Sequence, residues 1–314
     1  MMKIKKNNNK ILLRAPAKIN LHLEVIGKRE DHFHELSMIM QSIDLYDFLE
    51  IEENNRGAIN LKSNCLELSL NEDNLIIKAA SLLKDFSGNN KLGANIFLTK
   101  NIPIGAGLAG GSTDAAATLI GLNKLWKLNL DGKTLQSLAS KLGSDIPFCL
   151  DGGFQFCFGK GEILEKYNFD LNLALILLKD PDLSISTADT YKKYSLKFCN
   201  DKLLDKDNIN KRRDFLKLNR INDFKSTKKF LIKNDLQRIV EEENLSVKKS
   251  LRLLSEFEDS LSFSMSGSGP SCFALFKSFN IADIYHKKNN NYIKENGFDS
   301  WVCKFDKEGV KIIN

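Results

Sequence analysis

Between Ile102 and Asp114 the chain reads Ile-Pro-Ile-Gly-Ala-Gly-Leu-Ala-Gly-Gly-Ser-Thr-Asp, and no other stretch restricts the fold so tightly. Pro103 breaks the extended run over 94–99, and glycines stand at 105, 107, 110 and 111. The Ala-rich run behind them predicts a helix over 112–125. Glycines allow backbone conformations and close approaches that a Cβ forbids. A helix start behind them offers unpaired N–H groups and the positive end of a dipole, which suits a phosphate. The plainer reading is that the glycines only permit tight packing.

The string contains G-x-G-x-x-G. A dinucleotide fingerprint, however, follows the first strand of its βαβ unit, and here about a hundred residues come first. Asp131, the acid at a plausible distance, falls in a turn before a helix. The dinucleotide reading is therefore poor, and a Walker loop fits worse, because no G-K-[ST] follows the glycines.

Alternation predicts strands over 11–15, 18–25, 36–42, 47–52 and 94–99 in the first half, with a polar loop over 27–35. Helices are expected over 74–86, where Asp73 or Asn74 can cap, and over 134–142, followed by a turn at 143–147 and a strand at 154–158. A new apolar strand opens at 171–178. Helical material covers 235–257, strands lie at 261–264 and 272–277 around a Gly/Ser turn, and the last strand is 301–305. No internal repeat is present. Two α+β domains are expected, 1–165 and 166–314.

Composition removes several function classes. With 314 residues, 42% hydrophobic and 27% charged, the chain has the make-up of a globular protein. No run approaches the ~18 apolar residues of a membrane span. The basic opening 1–10 lacks an apolar core long enough for a signal peptide, so a cytoplasmic protein is expected. The six cysteines, at 65, 149, 157, 199, 272 and 303, form no C-x-x-C pair and read as buried free thiols. His32 and His34 lack a third metal ligand nearby in sequence. The net charge of +6 is uneven: 192–233 holds fourteen Lys/Arg and five Asp, a local +9. That segment reads as a solvated, variable insertion; the rival reading, an RNA-binding surface, lacks interleaved aromatics.

Two further segments matter. Early stands Ala15-Pro-Ala-Lys-Ile-Asn-Leu21, late Met265-Ser-Gly-Ser-Gly-Pro-Ser-Cys-Phe-Ala274. With 103–116 between them, they resemble the pattern of the GHMP kinases in order and spacing. The match sharpens at PAKINL (16–21), REDHFHE (29–35) and LGSDIPF (142–148). These resemble the members whose acceptor is a diphosphocytidyl methylerythritol of non-mevalonate isoprenoid formation. The resemblance covers about 11 to 277. It implies an ATP- and Mg²⁺-dependent kinase acting on a small molecule, without nucleic-acid or membrane partners, as a monomer or weak homodimer. The implied fold is α+β with two domains: a ribosomal-protein-like N-terminal domain with a left-handed βαβ unit, and a ferredoxin-like C-terminal one. Homoserine or mevalonate kinase activity is the nearest rival within the family.

By the same resemblance, Asp145 matches the catalytic aspartate and Lys18 the lysine beside it. Pro103, Gly105, Ala106, Gly107, Leu108, Ala109, Gly110, Gly111, Ser112 and Thr113 match the loop over the ATP phosphates, with Ser112 a metal ligand. Asn74 and Lys78 fall where the family approaches the nucleotide base. Asn20, Phe33, His34, Tyr191, Gly267 and Ser268 match positions around the acceptor, His34 at the cytosine and Tyr191 stacked on it. The family often carries Gly and Tyr where this chain has His32 and Phe33, which puts acceptor affinity in question and not the reaction type. Taken singly, Lys18 reads as a strand-end surface lysine, Asp145 as a turn or capping residue, His34 as a surface histidine and Tyr191 as packing. Only their places in the motifs reverse those readings.

Overall fold

The computed structural model describes residues 10–54, 56–168, 171–198, 206–225 and 228–313. Its first surprise is length. The expected short strands merge into β1 (Lys10–Lys28) and β2 (His34–Asn54), one antiparallel pair running from Lys10 opposite Glu52 to Lys28 opposite His34. The register shifts at Pro16/Ala17, Asn20/His22 and Val25/Gly27. Such bulges let a long strand bend and accommodate a proline, and they re-aim side chains. Lys18 and Asn20 stand between the first two.

β3 (Ile59–Ser63), α1 (Leu75–Ser87) and β4 (Gly93–Thr99) follow, with β3 and β4 parallel, a βαβ unit. Then come α2 (Gly110–Leu125), α3 (Gly132–Leu142) and the short α4 (Ile146–Asp151), which stands where a turn was expected. β5 (Phe154–Gly159) pairs with β2, and β6 (Ile163–Lys166) with β5. α2 packs on β1, β2 and α1, and Ala115, Ala116 and Ala117 are fully buried. Small side chains let the helix lie close to the sheet. A Cβ on Gly121 would stand 2.6 Å from Ile51 Cδ1.

The second half holds β7 (Ala174–Lys179), α5 (Thr187–Phe198), α6 (Lys206–Lys225), α7 (Gln237–Glu243) and α8 (Leu245–Ser255). It closes with β8 (Ser262–Met265), β9 (Cys272–Phe276), α9 (Phe279–Glu295), β10 (Asp299–Lys304) and β11 (Lys311–Ile312). Four of these strands form an antiparallel sheet in the order β10-β7-β9-β8. With helices between β7 and β8 and between β9 and β10, this is the ferredoxin-like arrangement. The last strand leaves it: β11 pairs with β1, at the edge of the first sheet. The two sheets share one apolar cluster, in which Ile19, Leu21 and Ile39 meet Phe154, Phe156, Leu175, Leu177, Phe273 and Leu275.

The basic segment adds to the sequence reading. Most of α6 is exposed, as expected, but the helix also docks through Leu216 and Phe224, which join the shared cluster at 1% and 3% exposure. Each contributes about 1.5–3 kcal/mol by area. Two anchors on a twenty-residue helix are too few to give a periodic signal. Its basic side chains meet carboxylates: Arg212 with Glu24, Arg213 with Glu35, Lys217 with Glu165 and Arg220 with Asp223. Cys149, Cys157, Cys272 and Cys303 are buried free thiols and Cys65 is half-buried. Cys199 and residues 1–9 lie outside the described residues. Among the described residues no helix is long and apolar enough to cross a membrane.

Candidate active site

Alternation along β1 puts Lys18 and Asn20 on one face, and both are buried. The Lys18 backbone N–H donates to Leu108 O at 3.1 Å, stitching the strand to the glycine loop. Its ammonium has three donors. They reach Asn20 Oδ1 at 2.7 Å, Gly107 O at 3.2 Å and the Asp145 carboxylate at 3.5 Å. Asp145 stands at the N-cap of α4, yet its side chain makes no capping bond, and 35% of it is exposed. The carboxylate is therefore available, held beside a buried cation.

Across from this pair runs the glycine loop. Gly105 and Gly107 are left-handed, and so is Ala109, the N-cap of α2. No side chain caps that helix, and Gly110, Gly111 and Ser112 line the cavity. The unmet N–H groups of a first helical turn are what an anion requires. A second glycine turn comes from the other sheet. Ser266 Oγ donates to Gly107 O at 3.1 Å, and Asn234 Nδ2 holds Met265 O and Gly267 O at 2.8 and 2.9 Å. The turns touch so closely that a Cβ on Gly107 would lie 2.3 Å from Ser266 O.

The far end of the cavity is aromatic and basic. The rings of His34 and Tyr191 stack at 5.1 Å and 24°, and His34 Nε2 is hydrogen-bonded to Ser195 Oγ. Burial, aided by the charge of Lys28, lowers the His34 pKa below its usual value, so the ring is neutral at pH 7. Burial also pushes the Tyr191 hydroxyl up, with the Asp145 charge adding to it. Lys160 Nζ lies 4.5 Å from the centre of the Phe33 ring, a cation–π contact.

Of the residues singled out from the sequence, Lys18, Asn20, Phe33, His34, Pro103, Gly105, Ala106, Gly107, Ala109, Gly110, Gly111, Ser112, Asp145, Tyr191, Gly267 and Ser268 surround one cavity of about 1000 Å³. Four do not. Leu108 is core, and Thr113 is buried in α2. Asn74 caps α1, its Oδ1 accepting from Ile76 N at 2.9 Å, while Lys78 points to Asp73 at 4.0 Å. Leu68 and Leu75 line the wall on that side instead.

Sequence reasoning missed the cavity's other cations, Lys28, Lys100, Lys160 and Lys192, which with Lys18 make five lysines against one lining carboxylate, Asp145. Lys100 is buried between Asp47 and Asp114, bonded to both. Asp47 Oδ1 also accepts from the N–H groups of Asn101 and Ile102, at 2.6 and 2.8 Å, and fixes the turn into Pro103. Burial raises the Asp114 carboxyl well above its usual range despite Lys100, so it holds a proton more readily than an ordinary aspartate. Lys100 stands three residues before Pro103, but only the fold reveals its two carboxylate partners.

Comparison with known proteins adds to this geometry. The model of the GHMP kinases N terminal domain matches residues 74–153, and that of the GHMP kinases C terminal region matches 211–294. The chain is 59% identical over 310 residues to a protein of Prochlorococcus marinus subsp. pastoris (strain CCMP1986 / NIES-2087 / MED4) named 4-diphosphocytidyl-2-C-methyl-D-erythritol kinase, covering 98% of this chain and 99% of that one. A protein of the same name from Prochlorococcus marinus (strain MIT 9301) is 60% identical over 305 residues, covering 97% and 98%. A crystal structure of 4-(cytidine 5'-diphospho)-2C-methyl-D-erythritol kinase superposes with a TM-score of 0.69 at 27% identity, over 94% of this chain and 98% of that one. A homoserine kinase from Cytophaga hutchinsonii ATCC 33406 shares the fold at a TM-score of 0.72 and 18% identity, over all of both chains.

Proposed function

The chain belongs to the GHMP kinase family, and on that premise we propose that it transfers the γ-phosphate of ATP to the 2-hydroxyl of 4-diphosphocytidyl-2-C-methyl-D-erythritol. The carrying observation is that the Lys18–Asp145 pair, 3.5 Å apart, and the uncapped start of α2 face one cavity. Lining charge supports the reading: Lys28, Lys160 and Lys192 suit two substrates that each carry phosphates, while Lys18 and Lys100 are held by carboxylates.

In this reading Asp145 accepts the proton of the acceptor hydroxyl as its oxygen bonds to the γ-phosphorus and the bond to the β,γ-bridging oxygen breaks. Proton removal of this kind contributes typically ~10²–10⁴-fold. Lys18, paired with Asp145 at 3.5 Å and bonded to Asn20, orients the hydroxyl between them. The glycine loop and the first turn of α2 cradle the phosphates, and Leu68 and Leu75 flank the nucleotide base. At the aromatic end Tyr191 and Phe33 stack on cytosine, and neutral His34 hydrogen-bonds it.

A divalent cation, Mg²⁺, completes the reading. Ser112 lies on the cavity wall at the start of α2, and among the described residues no three His, Cys, Asp or Glu side chains cluster as a metal cage. That donor set fits an ion carried largely by phosphate oxygens and water, with the Ser112 hydroxyl as a protein ligand. When bound, it would neutralise phosphate charge. A cytoplasmic monomer or weak homodimer accords with this role.

The test is ATP-dependent phosphorylation of the named acceptor by wild type and Asp145→Ala. The variant should lose about 10²–10⁴ in kcat. Near-normal turnover would remove Asp145 from its role, and an unchanged acceptor KM in His34→Ala would reject the cytosine assignment.

A further inference from the structure

The loop over 29–33 carries Phe33 into the cavity and leads directly to His34, yet little of it touches the protein body. Its internal bonds are local: Arg29 N to Phe33 O at 2.8 Å, His32 N to Arg29 O at 3.2 Å, and Phe33 N to Asp31 Oδ1 at 3.2 Å. His32 takes a left-handed φ of 65°. A loop of this kind keeps its shape but can swing as a unit unless something holds it.

What holds it is a chain of charges starting on the basic helix. Arg213 of α6 donates to Glu35 Oε1 at 2.8 Å, and Arg29 donates to the other oxygen of the same carboxylate. Arg29 then reaches Asp31 at 3.3 Å, and Lys160 lies 3.9 Å from Asp31. Glu35 is only 3% exposed, so its charge requires both guanidinium partners. Arg213 is itself fixed: its guanidinium lies over the Phe158 ring at 5.0 Å, and Leu216, one turn along, is buried. The series Arg213–Glu35–Arg29–Asp31 therefore ties the loop to a helix that no part of the proposed chemistry uses.

We propose that α6 is the positioning element for the acceptor end of the cavity, with Arg213 setting affinity for the cytidyl substrate through Glu35 and Arg29. The proposal rests on the reading above, in which Phe33 and His34 meet the nucleobase. Arg213 touches neither substrate; it acts by holding the loop in one arrangement before binding, so the ordering cost does not fall on the complex. The ATP side, built on the glycine loop over 105–111 and the first turn of α2, is independent of it.

The experiment is steady-state kinetics of the full-length enzyme carrying Arg213→Gln or Arg212→Gln, with each substrate varied in turn. Arg212 is the neighbouring control: it sits on the same helix but pairs with Glu24, outside the series. Arg213→Gln should raise the acceptor KM about five- to tenfold, with kcat and the ATP KM within about twofold; Arg212→Gln should change none of them. Partial recovery in Arg213→Lys is expected, because charge is restored without the fork. If Arg213→Gln folds poorly, Glu35→Gln/Arg213→Gln, which leaves no buried carboxylate half-paired, is read by the same ratio. An unchanged acceptor KM, a parallel rise for ATP, or an equal effect from Arg212→Gln overturns the proposal. His34→Ala separates the two readings. A rise there without one in Arg213→Gln sinks only the charge series; no rise in either sinks both.

Discussion

Gly107→Ala is the substitution that most directly tests whether the two glycine turns must touch. Gly107 has φ +73°, and an added Cβ would stand 2.3 Å from Ser266 O and 3.0 Å from Gly269 O. Left-handed backbone costs a residue with a Cβ roughly 1–2 kcal/mol. The contact with Ser266 O must open by about 1 Å to reach ordinary separation, and overpacking of that kind costs about 1–3 kcal/mol. The sum, about 3 kcal/mol, falls on the backbone, because both opposing atoms belong to main chain. The same movement displaces Gly107 O, which accepts from the Lys18 ammonium at 3.2 Å, and with it the pair to Asp145. A misplacement near 1 Å in a reacting site costs about 10²-fold in rate. Gly88→Ala is the control: its φ is +67°, but an added Cβ meets nothing within 4 Å. Denaturant unfolding should therefore show a loss of about 3 kcal/mol for Gly107→Ala and about 1 for Gly88→Ala, and only the first should lose kcat. Equal losses of stability, or a Gly107→Ala enzyme with normal kcat, would refute the steric reasoning.

Two other sites make separate demands. Lys100→Met leaves Asp47 and Asp114 buried without their cation and should destabilise by about 3–5 kcal/mol. Asp114→Asn, at a carboxyl that burial already pushes toward its protonated form, should cost about 1 kcal/mol or less; equal costs in urea unfolding would contradict this account of the cluster. At Glu24, burial alone would raise the carboxyl, but contact with His22, the hydrogen bond from Lys233 and the charges of Lys233 and Arg212 hold it at about 2. A depressed acid contributes stability above its unfolded value of 4.5 and loses it as pH falls toward 2. The gap between wild type and Glu24→Gln should thus be about 3 kcal/mol at pH 7 and shrink below pH 4.5; a gap independent of pH would show that Glu24 does not stabilise the fold by its charge.

Much of the site could be read from the chain because its parts are local. A glycine cradle, a helix start behind it, and a lysine two residues from an asparagine on one strand are set by near neighbours in sequence. The backbone rules for Pro103, for left-handed glycines and for strand alternation act over a few residues. The Ala-rich face of α2 likewise announces close packing on a sheet before the sheet is known.

What lay beyond the sequence depends on partners far apart along the chain. Asp47, Lys100 and Asp114 come from a strand, a loop and a helix, and nothing local marks them as one buried cluster. Asn74 and Lys78 were drawn toward the nucleotide by motif, but folding uses Asn74 to cap its helix and leaves Leu75 on the cavity wall. The basic segment looked solvated because charge dominates its composition; only docking, with Leu216 and Phe224 inserted and Glu24 and Glu35 waiting on the sheet, turns that charge into attachment. Short-range chemistry prescribes conformation residue by residue. Which charges lose their water, and which carboxylate meets them there, is decided when distant strands and helices close on each other.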